Sequence, residues 1–146
     1  MSTNVTFYAV NQDGLLGWTA KLVERAVTTG RKVFILCSNQ EQAQALDDYL
    51  WSYQEEAFVP HAIIESQTSK GAKTTPAVLA TTPWQPEGAT ILVQLAPGEI
   101  DFGLQFSHVV ELVDRENDDQ LNLSRDRYRS WKKAAQTQDV TVEYKG

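Results

Sequence analysis

The sequence predicts an α/β fold: three layers, with a mostly parallel sheet and helices on both faces. Segments rich in β-forming residues alternate with segments whose apolar residues recur at helical spacing. The strand predicted at residues 32–37 is continuously apolar, as expected for a strand covered on both faces. The chain has 146 residues and no linker long enough to divide it, so residues 1–146 are predicted to form a single domain.

The first half of the chain predicts the succession strand, helix, strand, helix. Residues 5–10 are rich in β-formers, and residues 15–27 show helical spacing that stops at Gly30. After the buried strand, Ser38 with Glu41 three residues later predicts a capping box that opens a helix through residue 50. This succession favours right-handed crossovers between parallel strands.

The second half predicts shorter elements around two well-defined strands. Those two strands are residues 90–95 and 108–113, and a capping residue at Asn117 or Asp118 predicts a last helix that runs to about residue 135. The weaker elements are an extended segment at 61–64, a short edge strand at 77–80, a short helix or turn at 100–106, and an edge strand or loose tail at 140–144.

Composition and charge narrow the class of protein. The content is 42% hydrophobic and 22% charged, without a bilayer-spanning apolar run or a secretory signal, which favours a cytoplasmic protein away from membranes. Cys37 is the single cysteine, so an internal disulfide is excluded. Residues 120–133 hold five cations and one carboxylate, a net +4, and since the whole chain carries −6 the remainder carries −10. A local basic patch on an acidic body indicates a small or local acidic partner rather than a nucleic-acid coat.

The motifs of nucleotide binding and catalysis are not matched. Residues 11–17 do not have the G-x-G-x-x-G pattern, and residues 71–74, Gly-Ala-Lys-Thr, lack the upstream glycine and following helix of a P-loop. Cys37 is predicted to be a buried, inert thiol. His61 and His108 are not at metal-ligand spacing; His61, after Pro60, is predicted to be a turn-stabilising or surface group, and His108 is predicted to be structural. We therefore predict neither an enzyme nor a bound cofactor or metal.

The predicted C-terminal helix carries the clearest binding signal. One arc of this helix is mainly apolar and aromatic, and the adjoining arc is cationic. The pattern suits three alternatives: a solvated face beside a core face, a groove that grips an acidic peptide, or a site for single-stranded nucleic acid. The first arc holds Leu121, Ser124, Tyr128, Trp131 and Ala135, and the second holds Arg125, Arg129, Lys132 and Lys133.

A second candidate surface surrounds Trp51 and Phe58. These large aromatic residues flank a polar turn, which suits either core packing beside a loop or a protein-docking surface.

The same stretch carries a family resemblance. Residues 46–51, Leu-Asp-Asp-Tyr-Leu-Trp, followed by residues 58–61, Phe-Val-Pro-His, resemble the L-D-x-x-L-W…F-V-P-H signature of the chi subunit of bacterial DNA polymerase III. Supporting matches lie at residues 7–8, at 30–33 with Cys37, and at 125–128, in the same order along nearly the whole chain.

The resemblance implies a Rossmann-like fold without nucleotide and a non-catalytic role. It implies two partners: the psi subunit of the clamp-loader complex, and the acidic C-terminal tail of single-stranded-DNA-binding protein, so that DNA is met only indirectly. By motif match the tail site consists of Arg125, Tyr128 and Arg129 with Lys132 and Val113 beside them, whereas Trp51 and Phe58 form the psi-facing or second docking surface. Leu121 departs from the pattern, because some family members carry a cation at that position.

Overall fold

A computed structural model describes residues 2–11, 14–52, 59–95 and 99–145, and within them seven strands form one sheet. Every pairing in the sheet is parallel, in the order β3-β4-β2-β5-β6-β1-β7. The strands are β1 (Thr3–Val10), β2 (Lys32–Leu36), β3 (His61–Ile63), β4 (Ala77–Ala80), β5 (Ala89–Gln94), β6 (His108–Asp114) and β7 (Val140–Lys145).

Helices cover both faces of the sheet, which confirms the predicted three-layer α/β fold. The helices are α1 (Leu15–Thr28), α2 (Gln40–Ser52), α3 (Ile100–Gly103) and α4 (Asp118–Ala134). One apolar cluster joins α1 and α2 to one face, and a second joins α3 and α4 to the other. Successive residues of a strand belong in turn to one cluster and then to the other, because successive side chains point to opposite faces of the sheet. In the described part of the chain, no helix combines the length and the apolar character needed to cross a membrane.

Two predictions about local structure are wrong in detail. Residues 77–80 are not an edge strand, since β4 lies between β3 and β2 and is buried throughout. The capping arrangement before α2 is shifted by one residue from the predicted pair. The Asn39 side chain accepts a hydrogen bond from Gln42 N (2.8 Å), and the Gln42 side chain accepts one from Ser38 N (2.7 Å). The tail does form the predicted edge strand, β7, beside β1.

Trp131 of α4 is the largest fully buried side chain, and Gly103 makes room for it. A Cβ atom at Gly103 would lie 2.7 Å from two atoms of the Trp131 ring. Side-chain carbon atoms do not approach so closely, so the end of α3 must be glycine if α4 is to pack at this depth.

Gly103→Ala is therefore expected to destabilise the protein by about 1–3 kcal/mol through overpacking. Urea denaturation would measure the loss. Gly14→Ala is the control without a steric conflict, because a Cβ at Gly14 meets nothing within 4 Å; since Gly14 is the N-cap of α1, this change should cost no more than about 1 kcal/mol. A Gly103→Ala midpoint equal to that of the control would contradict the proposed steric role of Trp131.

Candidate functional site

Helix α4 begins and ends as its sequence predicts. The Asn117 side chain accepts a hydrogen bond from Gln120 N, which caps the first turn. Acidic Asp118 and Asp119 stand in that first turn and basic Lys132 and Lys133 in the last, so both ends complement the helix dipole.

A buried ion pair fixes the middle of α4 against the sheet. The Arg127 guanidinium grips the carboxylate of Glu111 on β6, with Nε 2.6 Å from Oε2 and Nη2 2.7 Å from Oε1. Only 15% of the Arg127 side chain and 4% of the Glu111 side chain are exposed. Burial raises the pKa of Glu111, and the hydrogen bonds and charge of Arg127 oppose that rise. The indole of Trp131 also favours the charged carboxylate, although its Nε1 does not meet the geometry of a full hydrogen bond.

Removing Arg127 should therefore leave a buried, unpaired carboxylate. Arg127→Ala is expected to cost about 3–5 kcal/mol of unfolding free energy at neutral pH. Without Arg127, burial holds the pKa of Glu111 above the pKa that this carboxyl has in the unfolded chain. The folded variant therefore binds a proton more readily than the unfolded chain does. Its stability should fall as the pH rises through that interval, so the loss should be smaller near about pH 5 than near about pH 7.5.

Arg129→Ala on the same helix is the matched control for this experiment. Its ion pair with Asp126 is 75% and 71% exposed, so its loss should change the unfolding free energy by less than about 0.5 kcal/mol. Urea titrations of both variants at the two pH values test the difference. Equal losses in the two variants would contradict a structural role for the Glu111–Arg127 pair.

Helix α4 and Tyr144 of β7 border a pocket, here called the α4 pocket, with a volume of about 330 Å³. Two arginines one helical turn apart border the pocket, and aromatic and aliphatic side chains form much of the rest of its lining. The Tyr128 ring meets Phe7 edge-on at 5.5 Å, and Lys132 Nζ lies 5.6 Å from the centre of the Tyr128 ring. The lining residues are Leu121, Ser124, Arg125, Tyr128, Arg129 and Tyr144.

Within the described residues, the arginines of the α4 pocket make only weak contacts. Arg125 Nη1 lies 3.4 Å from Asn122 Oδ1, and Arg129 Nη1 lies 3.1 Å from Asp126 Oδ1. Both contacts are exposed to solvent, where such interactions contribute little. The two guanidinium groups are therefore able to exchange these contacts for a bidentate carboxylate.

The structure brings together most of the predicted tail-site residues. Arg125, Tyr128 and Arg129 line the α4 pocket, and Lys132 lies against its tyrosine. Val113 does not line it: this residue is buried in β6 and borders a smaller cavity of about 180 Å³ near the strand ends.

Three residues of the pocket were not predicted as binding residues. The sequence places Leu121 and Ser124 on the apolar arc of the helix, and Leu121 also departs from the family pattern, but neither is predicted to bind a partner. Tyr144 comes from β7, which lies beside β1 and near α4. The alternating pattern of residues 140–144 could have indicated Tyr144 as a pocket residue. It places Tyr144 on the same strand face as Val140 and Val142, which pack beneath α4.

The second predicted surface is only partly described. Trp51 is 59% exposed at the end of α2, and its ring lies 4.9 Å from that of His61. His61 is buried with Nδ1 2.6 Å from Val59 O and Nε2 3.3 Å from Asp47 Oδ1, so it fastens the incoming strand to α2. Phe58 lies outside the described residues.

The other residues considered for nucleotide binding, catalysis or metal binding lie in environments that do not suit those functions. Gly71 and Lys73 lie in turns that lead into strand β4 rather than into a helix, unlike a P-loop. Cys37 is buried, as predicted, and burial raises the pKa of its thiol to about 12. Within the described residues, no three His, Cys, Asp or Glu side chains are grouped in a way that would hold a metal ion.

Fold and site together define a parallel α/β protein of the Rossmann type with a cation-bordered surface pocket, and without the glycine pattern of a nucleotide-binding turn. The family model described as DNA polymerase III chi subunit, HolC, matches residues 1–138, and the chain belongs to this family.

Two relatives agree with this assignment and confirm the resemblance seen in the sequence. The chain is 32% identical over 142 residues to DNA polymerase III subunit chi of Escherichia coli (strain K12), covering 90% of this chain and 92% of that protein. It is 31% identical over 116 residues to DNA polymerase III subunit chi of Pseudomonas aeruginosa (strain PAO1), covering 76% of this chain and 77% of that protein.

Proposed function

We propose that this chain is a non-catalytic accessory subunit of the polymerase III clamp loader. In this role it links the clamp loader, through the psi subunit, to the acidic C-terminal tail of single-stranded-DNA-binding protein. It acts in the cytoplasm, requires no cofactor and meets DNA only through these partners. Family membership supports the association with DNA polymerase III.

The observation that carries the tail-binding proposal is the pairing of two arginines with an apolar pocket. Arg125 and Arg129 border a space of about 330 Å³ between α4 and Tyr144. The family resemblance implies a tail that ends in an aromatic residue with a free carboxylate. Such a side chain is small enough to enter this space, while the terminal carboxylate and the preceding acidic side chains meet the guanidinium groups. Leu121 makes the near end of the pocket apolar, so recognition of charge rests on the arginines and Lys132.

Direct binding of single-stranded nucleic acid by α4 is less well supported. That alternative needs exposed aromatic rings on which bases stack. Trp131 is fully buried, and the half-buried Tyr128 ring already contacts Phe7 with one edge and Lys132 with its face. The cations remain, and Tyr144 of the α4 pocket is 53% exposed, but one open ring is a small stacking surface for a run of successive bases.

We expect a short peptide with several aspartates before a C-terminal phenylalanine to bind the full chain with micromolar affinity. Binding should weaken with added salt and should weaken about tenfold when the terminal carboxylate is converted to an amide, because a charge-assisted contact is lost. Calorimetry at low salt measures both. Absence of binding by the free-acid peptide would refute the proposed tail site.

Arg125→Ala and Tyr128→Ala should each abolish measurable binding of this peptide, the first by removing the carboxylate contact and the second by removing the aromatic seat. Lys70→Ala is the control, because Lys70 is exposed in the turns before β4 and distant in sequence from the pocket. A labelled oligothymidine that binds the wild-type chain more tightly than the peptide does would favour the nucleic-acid alternative.

For psi we propose the surface around Trp51. An exposed tryptophan held by a buried histidine is a preorganised anchor, since its ring is already oriented before a partner arrives.

Trp51→Ala is therefore expected to prevent co-purification with psi while leaving the acidic-peptide affinity unchanged. Leu123→Ala is the control, because Leu123 is 46% exposed on α4 and far along the chain from α2. Co-expression with psi followed by size-exclusion chromatography separates the outcomes. Full retention of psi by the Trp51 variant would rule out this surface.

A further inference from the structure

The sheet face on the α1 side is incompletely covered at β1. The β1 residues that face α4, such as Phe7 and Ala9, are buried, whereas Thr6, Tyr8 and Val10 on the opposite side are only half-buried. Helix α1 packs mainly against α2 and β2, and its Trp18 ring lies against Tyr8 of β1, so this face of β1 is only partly covered. This opening lies on the opposite face of the sheet from the α4 pocket.

A groove of about 570 Å³ occupies this opening, here called the α1 groove. Its apolar part contains the rings of Tyr8 and Trp18, whose centres are 4.5 Å apart, with Leu22 and Ile91 beside them. Neither ring is fully buried. The groove therefore offers an aromatic seat for an apolar side chain.

Three cations border the same groove. Lys21 and Arg25 project from α1 one turn apart, and Arg31 precedes β2. All three are exposed, and none forms an ion pair with a carboxylate among the residues that the structure describes. On a chain whose net charge is −6, a cluster of three unpaired cations around aromatic rings is complementary to a negatively charged ligand.

The positive surface continues beyond the groove at Arg31. That residue also borders a smaller polar pocket of about 280 Å³, which contains Thr90, Ser107 and His108 at the amino ends of β5 and β6. A ligand that is bound at the aromatic rings and extends past Arg31 thus contacts hydroxyl and imidazole groups, which suit a polar, extended chain.

We propose that the α1 groove binds an internal acidic segment of a partner protein. One bulky apolar side chain of that segment rests against Tyr8 and Trp18, and flanking carboxylates pair with Lys21, Arg25 and Arg31. A peptide fits better than a nucleic acid, because Trp18 packs against Tyr8 at 48° and leaves no pair of parallel open ring faces for successive bases. This site uses none of the residues of the α4 pocket, so the proposal stands independently of the tail-binding function.

The test uses the full chain and a labelled acidic peptide with one central phenylalanine, acetylated and amidated so that it has no terminal charges. Fluorescence anisotropy at low salt should show saturable binding. Replacing the phenylalanine by serine should weaken it about tenfold, since the aromatic seat is then empty. The double variant Lys21→Glu/Arg25→Glu should weaken it by at least about tenfold.

The matched control is Lys70→Glu/Lys73→Glu, which changes the net charge by the same amount at exposed positions outside the groove. It should alter the affinity less than about twofold. Arg125→Ala should also leave this peptide's affinity unchanged, which separates the α1 groove from the α4 pocket.

Three results would overturn the proposal: no saturable binding, equal weakening by the two double variants, or equal affinity for the phenylalanine and serine peptides. A labelled oligothymidine that binds more tightly than the peptide, and is weakened by Lys21→Glu/Arg25→Glu, would assign the groove to nucleic acid instead. Circular dichroism and urea denaturation confirm that each variant is folded.

Discussion

The packing of Trp131 against Gly103 fixes the position of α4, and the candidate site depends on that position. Trp131 holds the C-terminal half of the helix in the core, and the Glu111–Arg127 pair holds its middle. With these two anchors in place the helix cannot roll about its axis. Arg125 and Arg129 are consequently held on the solvent side, where their charges remain available to a ligand.

Cations of the same type thus have different functions along a short stretch of α4. Arg127 forms an ion pair with a buried carboxylate. Arg125 and Arg129, two residues away on either side, form exposed contacts among the described residues. The cationic arc drawn from the sequence contains Arg125 and Arg129 and leaves out Arg127, but helical spacing alone does not show that Arg127 has a buried partner. The available clue was Glu111, a carboxylate flanked by Val110 and Leu112 in the middle of a predicted strand, since a buried acid requires a partner of opposite charge.

Local pattern was sufficient to predict most elements of the fold, because helical spacing, apolar runs and capping residues are properties of neighbouring residues. Sheet order was not predictable in the same way. Residues 77–80 have the length expected of an edge strand, yet β4 is internal because β3 pairs outside it. Likewise, family resemblance predicts Val113 as a binding residue, but Val113 is buried in β6 and does not line the α4 pocket. Tyr144 lines the pocket because β7 pairs with β1, a pairing that local pattern does not predict.

The position of β1 between β6 and β7 has a consequence for how the protein is made. Strand β1 leaves the ribosome well before both of its neighbours in the sheet, which are residues 108–114 and 140–145. Such distant pairing delays assembly of this half of the sheet until those residues have been synthesised. Since Phe7 of β1 contacts Tyr128 and β7 contributes Tyr144, a chain that ends before β7 has no complete α4 pocket.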